Sequence, residues 1–385
     1  KGYLMKAVIS STGLWTPEES ITNEELVESF NAYVDIWNSE NSSSISNGKK
    51  LELTYSDASF IEKASGVKSR YTISKKSILD PNIMAPRIPK RKNSEPSILA
   101  EIGFKAAQDA LTKTNRNPKD IDAIICACSN LQRGYPAIAV EIQNLLGAQG
   151  FAFDMNVACS SATFGIETAR CLISGGQAKT VLVINPEICT AHLNFKDRDS
   201  HFIFGDVATA TLIDSDEVCE KEHWEIISSK LITEYSNNIR NNFGFLNHCA
   251  PEDDGMIGER GKRGLTDKLF VQNGRSVFKE VIPIVANMII EECDKNNLQP
   301  DCLKRLWLHQ ANLSMNQLIA KKVLGKTYAK EKTPIVLDEY ANTSSAGSII
   351  AFHKYNSDFK NGDIGLICSF GAGYSAGAIF VKKNG

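Results

Sequence analysis

The sequence predicts an α/β protein with two duplicated lobes of mixed strands and helices. Residues 106–130 and 286–312 share one order of features: an amphipathic helix, an asparagine-containing break with a proline, and a short apolar strand that ends in polar residues. The likeness continues at a nearly constant offset, which is 182 between Asn130 and Asn312, 183 between Cys159 and Asn342, and 184 between Ala178 and Gly362. Solenoid repeats are only about 20–50 residues long, so this repeat indicates two packed lobes.

We place the boundary between the lobes near residue 220. Residues 1–220 then form the N-terminal lobe, with an insertion near 30–100, and residues 221–385 form the C-terminal lobe. The insertion fits the repeat poorly and contains a polar, flexible segment at 39–50. A second polar, glycine-rich excursion spans 236–268. Loops of this length are usually functional or disordered, so we expect both excursions to cover or partner a site.

Composition excludes several classes of protein. Of the 385 residues, 42% are hydrophobic and 23% charged, and the formal net charge is −2, which argues against a whole-chain nucleic-acid binder. No apolar run approaches the roughly 18 residues of a membrane span, and no secretory signal is expected at the N-terminus. The ten cysteines are scattered without a CxxC pair, which favours free thiols in a reducing cytoplasm over disulfides or a metal site.

Cys159 is the first candidate for chemistry. An apolar strand at 151–157 turns into an amphipathic helix at 160–176, so Cys159 falls at the start of that helix. Unpaired N–H groups and the helix dipole at such a position favour a thiolate, which is a nucleophile. Small residues around Cys159 leave room for a second backbone or a substrate. The alternative is that Cys159 is a packing residue.

His309 and Asn342 occupy comparable points in the second lobe. His309 stands where an apolar strand stops and a helix begins, and Asn342 is expected at a strand-to-helix turn. Each has a structural alternative, since His309 could be a satisfied interior histidine and Asn342 a helix cap. Equivalent edges of a duplicated fold can bring Cys159, His309 and Asn342 together, where the histidine and the asparagine would donate hydrogen bonds to a thioester or carboxylate oxygen.

A glycine-rich turn lies at the end of the chain. Residues 369–383 read as a strand, a tight turn and another strand. The helix and lysine of a phosphate-binding loop are missing there. Backbone N–H groups of the turn could form an oxyanion hole beside a nucleophile, and the alternative is a plain β-hairpin.

Together these residues resemble the thiolase superfamily, and most closely the β-ketoacyl-acyl-carrier-protein synthase III family. The resemblance runs from Met5 to Lys383. Its marks are Ala158-Cys159, NGRSVFK at 273–279, HQANL at 309–313, YANTSSAGS at 340–348 and FGAGYSAG at 370–377. It implies a thiolase-like fold with five layers in the order α-β-α-β-α, a cytoplasmic homodimer, and fatty acid biosynthesis with no cofactor or metal, since acyl-CoA is a substrate.

The resemblance also implies a mechanism. Cys159 takes an acyl group from acyl-CoA as a thioester. His309 and Asn342 then hold the thioester oxygen of malonyl carrier protein and stabilise the enolate as carbon dioxide leaves. The enolate attacks the acyl group and gives a 3-ketoacyl product. The backbone amides of Cys159, Gly371 and Ala372 would stabilise the tetrahedral oxyanion.

Substrate contacts follow from the resemblance in the same way. The positions implied are Arg70 near the coenzyme, Tyr135 in the acyl pocket of the partner subunit, Asn273 and Phe278 in the family motif, and Lys321 and Lys322 toward the carrier protein. The segment 30–58 is longer than in short family members and lies where the coenzyme entrance is expected. Trp37 is a poor match to the tryptophan that stacks on adenine, and Ser314 replaces a frequently basic residue.

Three functions compete. The first is acyl-CoA-primed decarboxylative condensation with malonyl carrier protein. The second is a related acyltransferase of a specialised pathway, or condensation between two CoA thioesters. The third is a catalytically idle dimeric scaffold, which the presence of all three polar residues disfavours. A hydrolase would need a general base for water, and Asn342 does not supply one.

Overall fold

The computed structural model describes residues 5–219, 222–244, 246 and 268–385. The N-terminal half contains β1 (Ala7–Trp15), β2 (Glu19–Thr22), α1 (Asn23–Glu40), α2 (Ser42–Ser46), α3 (Ala58–Ser65), β3 (Ser69–Thr72), α4 (Lys75–Ile78), α5 (Ile98–Thr114), β4 (Ala123–Ala127), α6 (Ile138–Leu146), β5 (Phe151–Met155), α7 (Ser161–Ser174), β6 (Thr180–Ile188) and β7 (Asp206–Ser215). The C-terminal half contains β8 (His223–Ser236), β9 (Ile239–Arg240), β10 (Val271–Gln272), α8 (Gly274–Lys295), β11 (Leu303–Leu308), α9 (Leu313–Leu324), α10 (Leu337–Tyr340), α11 (Gly347–Lys354), β12 (Ile364–Gly371) and β13 (Gly373–Asn384).

The strand pairing shows the duplication directly. In the first half β4 pairs parallel with β6, and β6, β7 and β1 follow in antiparallel pairs. In the second half β11 pairs parallel with β12, and β12, β13 and β8 follow in antiparallel pairs. The two lobes share one continuous nine-stranded sheet. They join edge to edge where Val8 pairs with Glu225 and Ile9 with Trp224, in the order β11-β12-β13-β8-β1-β7-β6-β4-β5.

Helices pack between and outside the two half-sheets. Ile166 of α7 and Ile349 of α11 lie in one buried cluster with strand residues of both halves, so these helices form the middle layer. Helices α5 and α6 cover the first half-sheet, and α8 and α9 cover the second. Fully burying each such aliphatic side chain stabilises the fold by about 1.5–3 kcal/mol. The predicted five-layer α-β-α-β-α arrangement is confirmed.

The predicted strand before Asn342 is wrong. The segment that matches β5 in the repeat is the single-turn helix α10, followed by a 3-10 turn (Ser344–Ala346). The Oε1 atom of Gln310 accepts hydrogen bonds from the N–H groups of Val336 at 2.8 Å and Leu337 at 3.2 Å. These amides are therefore capped by a side chain and are not available to a sheet.

The insertion has a core of its own. Apolar residues of α1, α3 and α4 pack with the segment 189–204, and Phe30, Ile61 and Phe202 lie in this cluster. Residues 42–46 of the polar segment form the short, unburied helix α2. The Nδ2 group of Asn312 donates to the carbonyl of Ala64 at 2.8 Å, so the insertion contacts the turn after His309.

Much of the second excursion, residues 245 and 247–267, lies outside the described residues. The lobe boundary near 220 stays a prediction, since residues 220 and 221 are also outside the described part. Within the described ranges, no helix combines the length and apolar character needed to cross a membrane. The nine cysteines found there carry free thiols.

Candidate active site

Cys159 lies in a 3-10 turn (Ala158–Ser160) between β5 and α7, as the strand-to-helix pattern predicted. Ala158 has a φ of 47°, a left-handed conformation that costs a non-glycine residue about 1–2 kcal/mol. The Oδ1 atom of Asn156 accepts the Ala158 N–H at 2.8 Å and supports this turn. Ala341, at the equivalent point of the repeat, has a φ of 55°. Cys159 and Asn342 thus both follow an alanine with a positive φ.

The small residues after Cys159 make room for the other half of the chain. Ser160 and Thr163 are fully buried. Ser160 Oγ donates to the carbonyl of Ser375 at 3.0 Å, and Thr163 Oγ1 lies 2.6 Å from Ser369 Oγ. Of the two explanations that the sequence left open, a second backbone rather than a substrate explains these residues.

The glycine-rich turn contacts the nucleophile. A Cβ atom on Gly371 would lie 2.6 Å from Cys159 Cβ and 3.0 Å from its Sγ, which leaves no space for a side chain. The backbone N–H groups of Ala372 and of Cys159 itself face the sulfur. Both amides lie beside the sulfur, and their role as the oxyanion hole stays a prediction. For Gly371 the geometry gives a steric reason, and its role as a donor stays a prediction.

We expect Gly371→Ala to slow acylation of Cys159 about 10²-fold, because misplacing a reacting group by about 1 Å costs this much. Single-turnover mass spectrometry with an acyl-CoA measures the rate. Gly134→Ala is the matched control, since a Cβ at Gly134 would meet no atom within 4 Å. An unchanged rate in Gly371→Ala would show that the turn tolerates a methyl group beside the sulfur.

His309 and Asn342 are brought to the same place by Ser344 and Phe370. The Oδ1 atom of Asn342 accepts the N–H of Ser344 at 2.8 Å, and Ser344 Oγ donates to Cys159 Sγ at 3.4 Å. His309 is buried, and its ring meets the ring of Phe370 edge to face at 5.2 Å. Phe370 immediately precedes Gly371, so His309 and Cys159 contact adjacent residues of one segment.

The cysteine and the histidine rest in their neutral forms. Burial raises the pKa of Cys159 to about 11, although the Ser344 hydroxyl and the backbone amides act in the opposite direction. Burial lowers the pKa of His309 to about 4. The predicted thiolate at a helix start is therefore wrong for the resting site, because loss of solvent outweighs the nearby donors.

Arg70 is buried and hydrogen-bonded to other parts of the protein. It is 1% exposed, and its guanidinium donates to the carbonyls of Ile21 and Phe202 and to the Oδ1 of Asn23. Burial lowers its pKa to about 9. Through Phe202, Arg70 connects the insertion to the 189–204 segment, and a basic residue beside a family-like motif did not reveal its burial. Its predicted place near the coenzyme stays a prediction.

The other predicted contacts are dispersed. Asn273 accepts the N–H of Ser276 and caps α8, so its side chain serves the helix. Phe278 is half-buried against the C-terminal core. Lys321 and Lys322 are exposed at the end of α9. Tyr135 is 82% exposed on the loop after β4. The roles of these residues stay predictions.

Trp37 and Ser314, the two positions that match the family motif poorly, make contacts within the protein. Trp37 lies at the surface of α1 with the Lys50 ammonium 5.5 Å from its ring centroid. Ser314 opens α9, and its N–H donates to the Oδ1 of Asn312. Neither contact involves Cys159, His309 or Asn342.

Two residues near the site were not predicted. Ser344, which contacts the sulfur, was treated only as part of a helix start. Glu187 is fully buried near the end of β6. A lone carboxyl in the apolar run 180–188 was a usable signal, because a buried charge needs partners. A cavity of about 470 Å³ lies beside this region, lined in part by Asn130 and Ile188.

A cysteine and an asparagine on equivalent turns, with a buried histidine one strand earlier, define a thiolase-like condensing enzyme. The family models described as 3-Oxoacyl-[acyl-carrier-protein (ACP)] synthase III and its C-terminal part match residues 153–234 and 293–383. The chain belongs to the β-ketoacyl-acyl-carrier-protein synthase III family. It is accordingly an acyltransferase-type condensing enzyme of fatty acid biosynthesis.

Individual relatives agree with this assignment. A beta-ketodecanoyl-[acyl-carrier-protein] synthase of Pseudomonas aeruginosa strain PAO1 is 53% identical over 93% of this chain and 100% of its own length. A beta-ketoacyl-[acyl-carrier-protein] synthase III of Agrobacterium fabrum is 33% identical over 74% of this chain and 84% of its own. The solved 3-oxoacyl-[acyl-carrier-protein] synthase III of Aquifex aeolicus VF5 has the same fold, with a TM-score of 0.74 and 24% identity over 98% of this chain and 99% of that one.

Proposed function

We propose that the enzyme transfers a medium-chain acyl group from acyl-CoA to Cys159 and condenses it with malonyl carrier protein. The observation that carries this proposal is the setting of the thiol, which lies between the Ser344 hydroxyl and the Ala372 amide with Gly371 against its Cβ. The site thus offers a thiol with hydrogen-bond donors beside it. These are the requirements of acyl transfer through a tetrahedral intermediate.

In the first step the sulfur of Cys159 forms a bond to the thioester carbonyl carbon. The carbonyl oxygen becomes an oxyanion, which the amides of Cys159 and Ala372 stabilise. The carbon–sulfur bond to CoA breaks, and the thiol proton passes to the departing CoA sulfur. The neutral resting thiol means that this proton leaves during attack, since burial disfavours a free thiolate.

In the second step malonyl carrier protein loses carbon dioxide. The carbon–carbon bond to the carboxylate breaks, and its electron pair forms an enolate whose oxygen faces the side chains of His309 and Asn342. A neutral imidazole and an amide both donate hydrogen bonds to developing negative charge. The enolate carbon attacks the acyl carbon and releases Cys159 as the thiol after protonation. The reaction as proposed needs no cofactor.

The primer length follows from the Pseudomonas relative. The name of that relative specifies a ketodecanoyl product, and decarboxylative condensation adds two carbons, so its primer has eight. At 53% identity over nearly the whole chain, we assign the same eight-carbon primer to this enzyme.

Octanoyl-CoA is therefore expected to acylate Cys159 at least about tenfold faster than acetyl-CoA or palmitoyl-CoA, because one methylene in a matched pocket is worth about 1–3 kcal/mol. Competition between the three thioesters, read by intact-protein mass spectrometry, measures the preference. Malonyl carrier protein and malonyl-CoA are then compared as acceptors. A preference for acetyl-CoA would overturn the primer assignment, and equal use of malonyl-CoA would favour the CoA–CoA alternative.

Two features support the proposed macromolecular partners. Strand β5 ends the sheet, and Phe151 on it is 42% exposed, so an unpaired edge with apolar side chains is available to a second copy. Tyr135 lies on the exposed loop after β4, where a second copy would reach it. Lys321 and Lys322 offer exposed positive charge to an acidic carrier protein.

A further inference from the structure

The carboxyl group of Glu187 accepts hydrogen bonds from one residue in each half of the chain. Its Oε1 atom accepts the N–H of Ser129 at 2.9 Å and of Ser345 at 3.3 Å. The Ser129 hydroxyl donates to Oε2 at 2.6 Å, and the Ser345 hydroxyl donates to Oε1. Ser129 follows β4 in the first half, whereas Ser345 belongs to the turn that carries Asn342. One buried carboxyl therefore joins two segments 216 residues apart in sequence.

Each segment leads to a reacting group. On one side the carbonyl of Ser129 accepts Asn156 Nδ2 at 3.1 Å, and Asn156 in turn supports the amide of Ala158 next to Cys159. On the other side Ser345 follows Ser344, whose hydroxyl meets the sulfur. The same Ser344 is bound by Asn342 through its N–H.

Four donors of Ser129 and Ser345 satisfy the carboxyl, together with the Cys189 thiol at 3.7 Å from Oε2, and none of these partners in the described part of the chain is a cation. The titratable groups that face it are thiols, namely Cys126 on β4, Cys128 just after β4, Cys159, and Cys189 after β6. Asp154 faces Cys126 and Cys128, and Asp206 faces Cys189. A negative charge on Glu187 raises the pKa of Cys159, so the carboxyl is close enough to influence the nucleophile.

We propose that Glu187 is a positioning residue that sets the distance between the Cys159 turn and the Asn342 turn by binding Ser129 and Ser345. It touches no substrate in this role. A glutamine at this position can keep both backbone bonds through Oε1 and donate to the Ser129 hydroxyl through Nε2, since a hydroxyl accepts as well as donates. An alanine loses all four bonds and leaves buried donors without partners.

Kinetics of Glu187→Ala, Glu187→Gln and Ser345→Ala test the proposal. We expect Glu187→Ala to lower kcat of condensation about 10²-fold with KM for acyl-CoA within about twofold, and Glu187→Gln to recover most of the loss. Ser345→Ala, which removes one hydroxyl, is expected to lose about tenfold. Asp214→Asn is the matched control, because Asp214 is equally buried. Glu187 pairs with Val207 at the start of β7, whereas Asp214 lies at the other end of that strand.

Alkylation of Cys159 by iodoacetamide is the second measurement, and it does not depend on the proposed function. Cys159 of the Glu187→Gln variant should react about threefold faster than Cys159 of the wild type near pH 8.5. The reason is that removal of the Glu187 negative charge lowers the pKa of the Cys159 thiol. The kinetic part rests on the proposed function, whose own failure would appear as a wild-type enzyme that forms no acyl-Cys159.

The proposal is overturned if a folded Glu187→Ala keeps the wild-type kcat. If that variant does not fold, wild-type kcat in Ser345→Ala together with wild-type alkylation in Glu187→Gln overturns it. Loss of activity in Asp214→Asn to the same extent would also count against it, since any buried carboxyl would then have the same effect.

Discussion

Cys159→Ala is expected to form no acyl-enzyme with octanoyl-CoA and to lose condensation activity altogether. The sulfur is the group that bonds to the acyl carbon, and a methyl group cannot replace it. Intact-protein mass spectrometry after brief incubation with octanoyl-CoA gives the fraction acylated. Wild type should shift by one octanoyl group, and the variant should keep its unmodified mass.

The control for this experiment is Cys171→Ala. Cys171 is an exposed thiol on α7, the helix that follows Cys159, and its Sγ contacts Glu167. This variant should acylate as wild type does, which separates the nucleophile from a surface thiol that reacts slowly on its own. An octanoyl adduct on Cys159→Ala, located to another residue by peptide mapping, would refute the assignment of the nucleophile.

Asn342→Ala and His309→Ala should each lower condensation about 10²–10³-fold while Cys159 still becomes acylated. Loss of one donor to a developing oxyanion costs this much in other acyl-transfer sites. The two half-reactions are measured separately, as octanoyl transfer to Cys159 and as carbon dioxide release from malonyl carrier protein. His353→Gln is the control, because His353 is a half-buried histidine whose pKa is likewise lowered to about 4, but it binds Thr12 away from the site.

The assignment of His309 as a neutral hydrogen-bond donor also predicts how the rate of carbon dioxide release depends on pH. The pKa of His309 is lowered to about 4, so the ring is neutral throughout the physiological range and gains a proton only as pH falls toward 4. Carbon dioxide release should therefore show no histidine titration between about pH 5.5 and 8. A drop in rate centred near pH 6.5 that disappears in His309→Ala would mean that the ring is more exposed than the structure has it.

The repeat was readable because it repeats both a pattern and a spacing. Apolar strands and amphipathic helices recur about 183 residues apart, and Cys159 and Asn342 stand at matched points. The contacts through Ser344 and Phe370 then bring His309 to the same sulfur. The pattern could not show that the half-sheets join, because only two residue pairs connect β1 with β8.

Burial explains two properties that the sequence did not reveal, namely the surroundings of Arg70 and the protonation state of Cys159. Arg70 was predicted near the coenzyme, and arginine is rarely buried, yet its side chain is 1% exposed and its Nη1 and Nη2 groups donate to Ile21, Asn23 and Phe202. The thiolate was expected from the helix start, but desolvation depends on the residues packed around the sulfur. These belong to the other half of the chain, as Gly371 and Ser344 show.

The two alanines with positive φ, Ala158 and Ala341, bear on the ancestry of this enzyme. Ala158 and Ala341 occupy equivalent points with φ values of 47° and 55°, and the next residue is a cysteine in one lobe and an asparagine in the other. An ancestor made of two identical single lobes would have placed the same side chain on both turns. A nucleophile facing a copy of itself has no donor for the enolate. Two lobes in one chain can carry different residues at the two turns, and in the proposed mechanism one turn supplies the bond-forming atom and the other the hydrogen-bond donor.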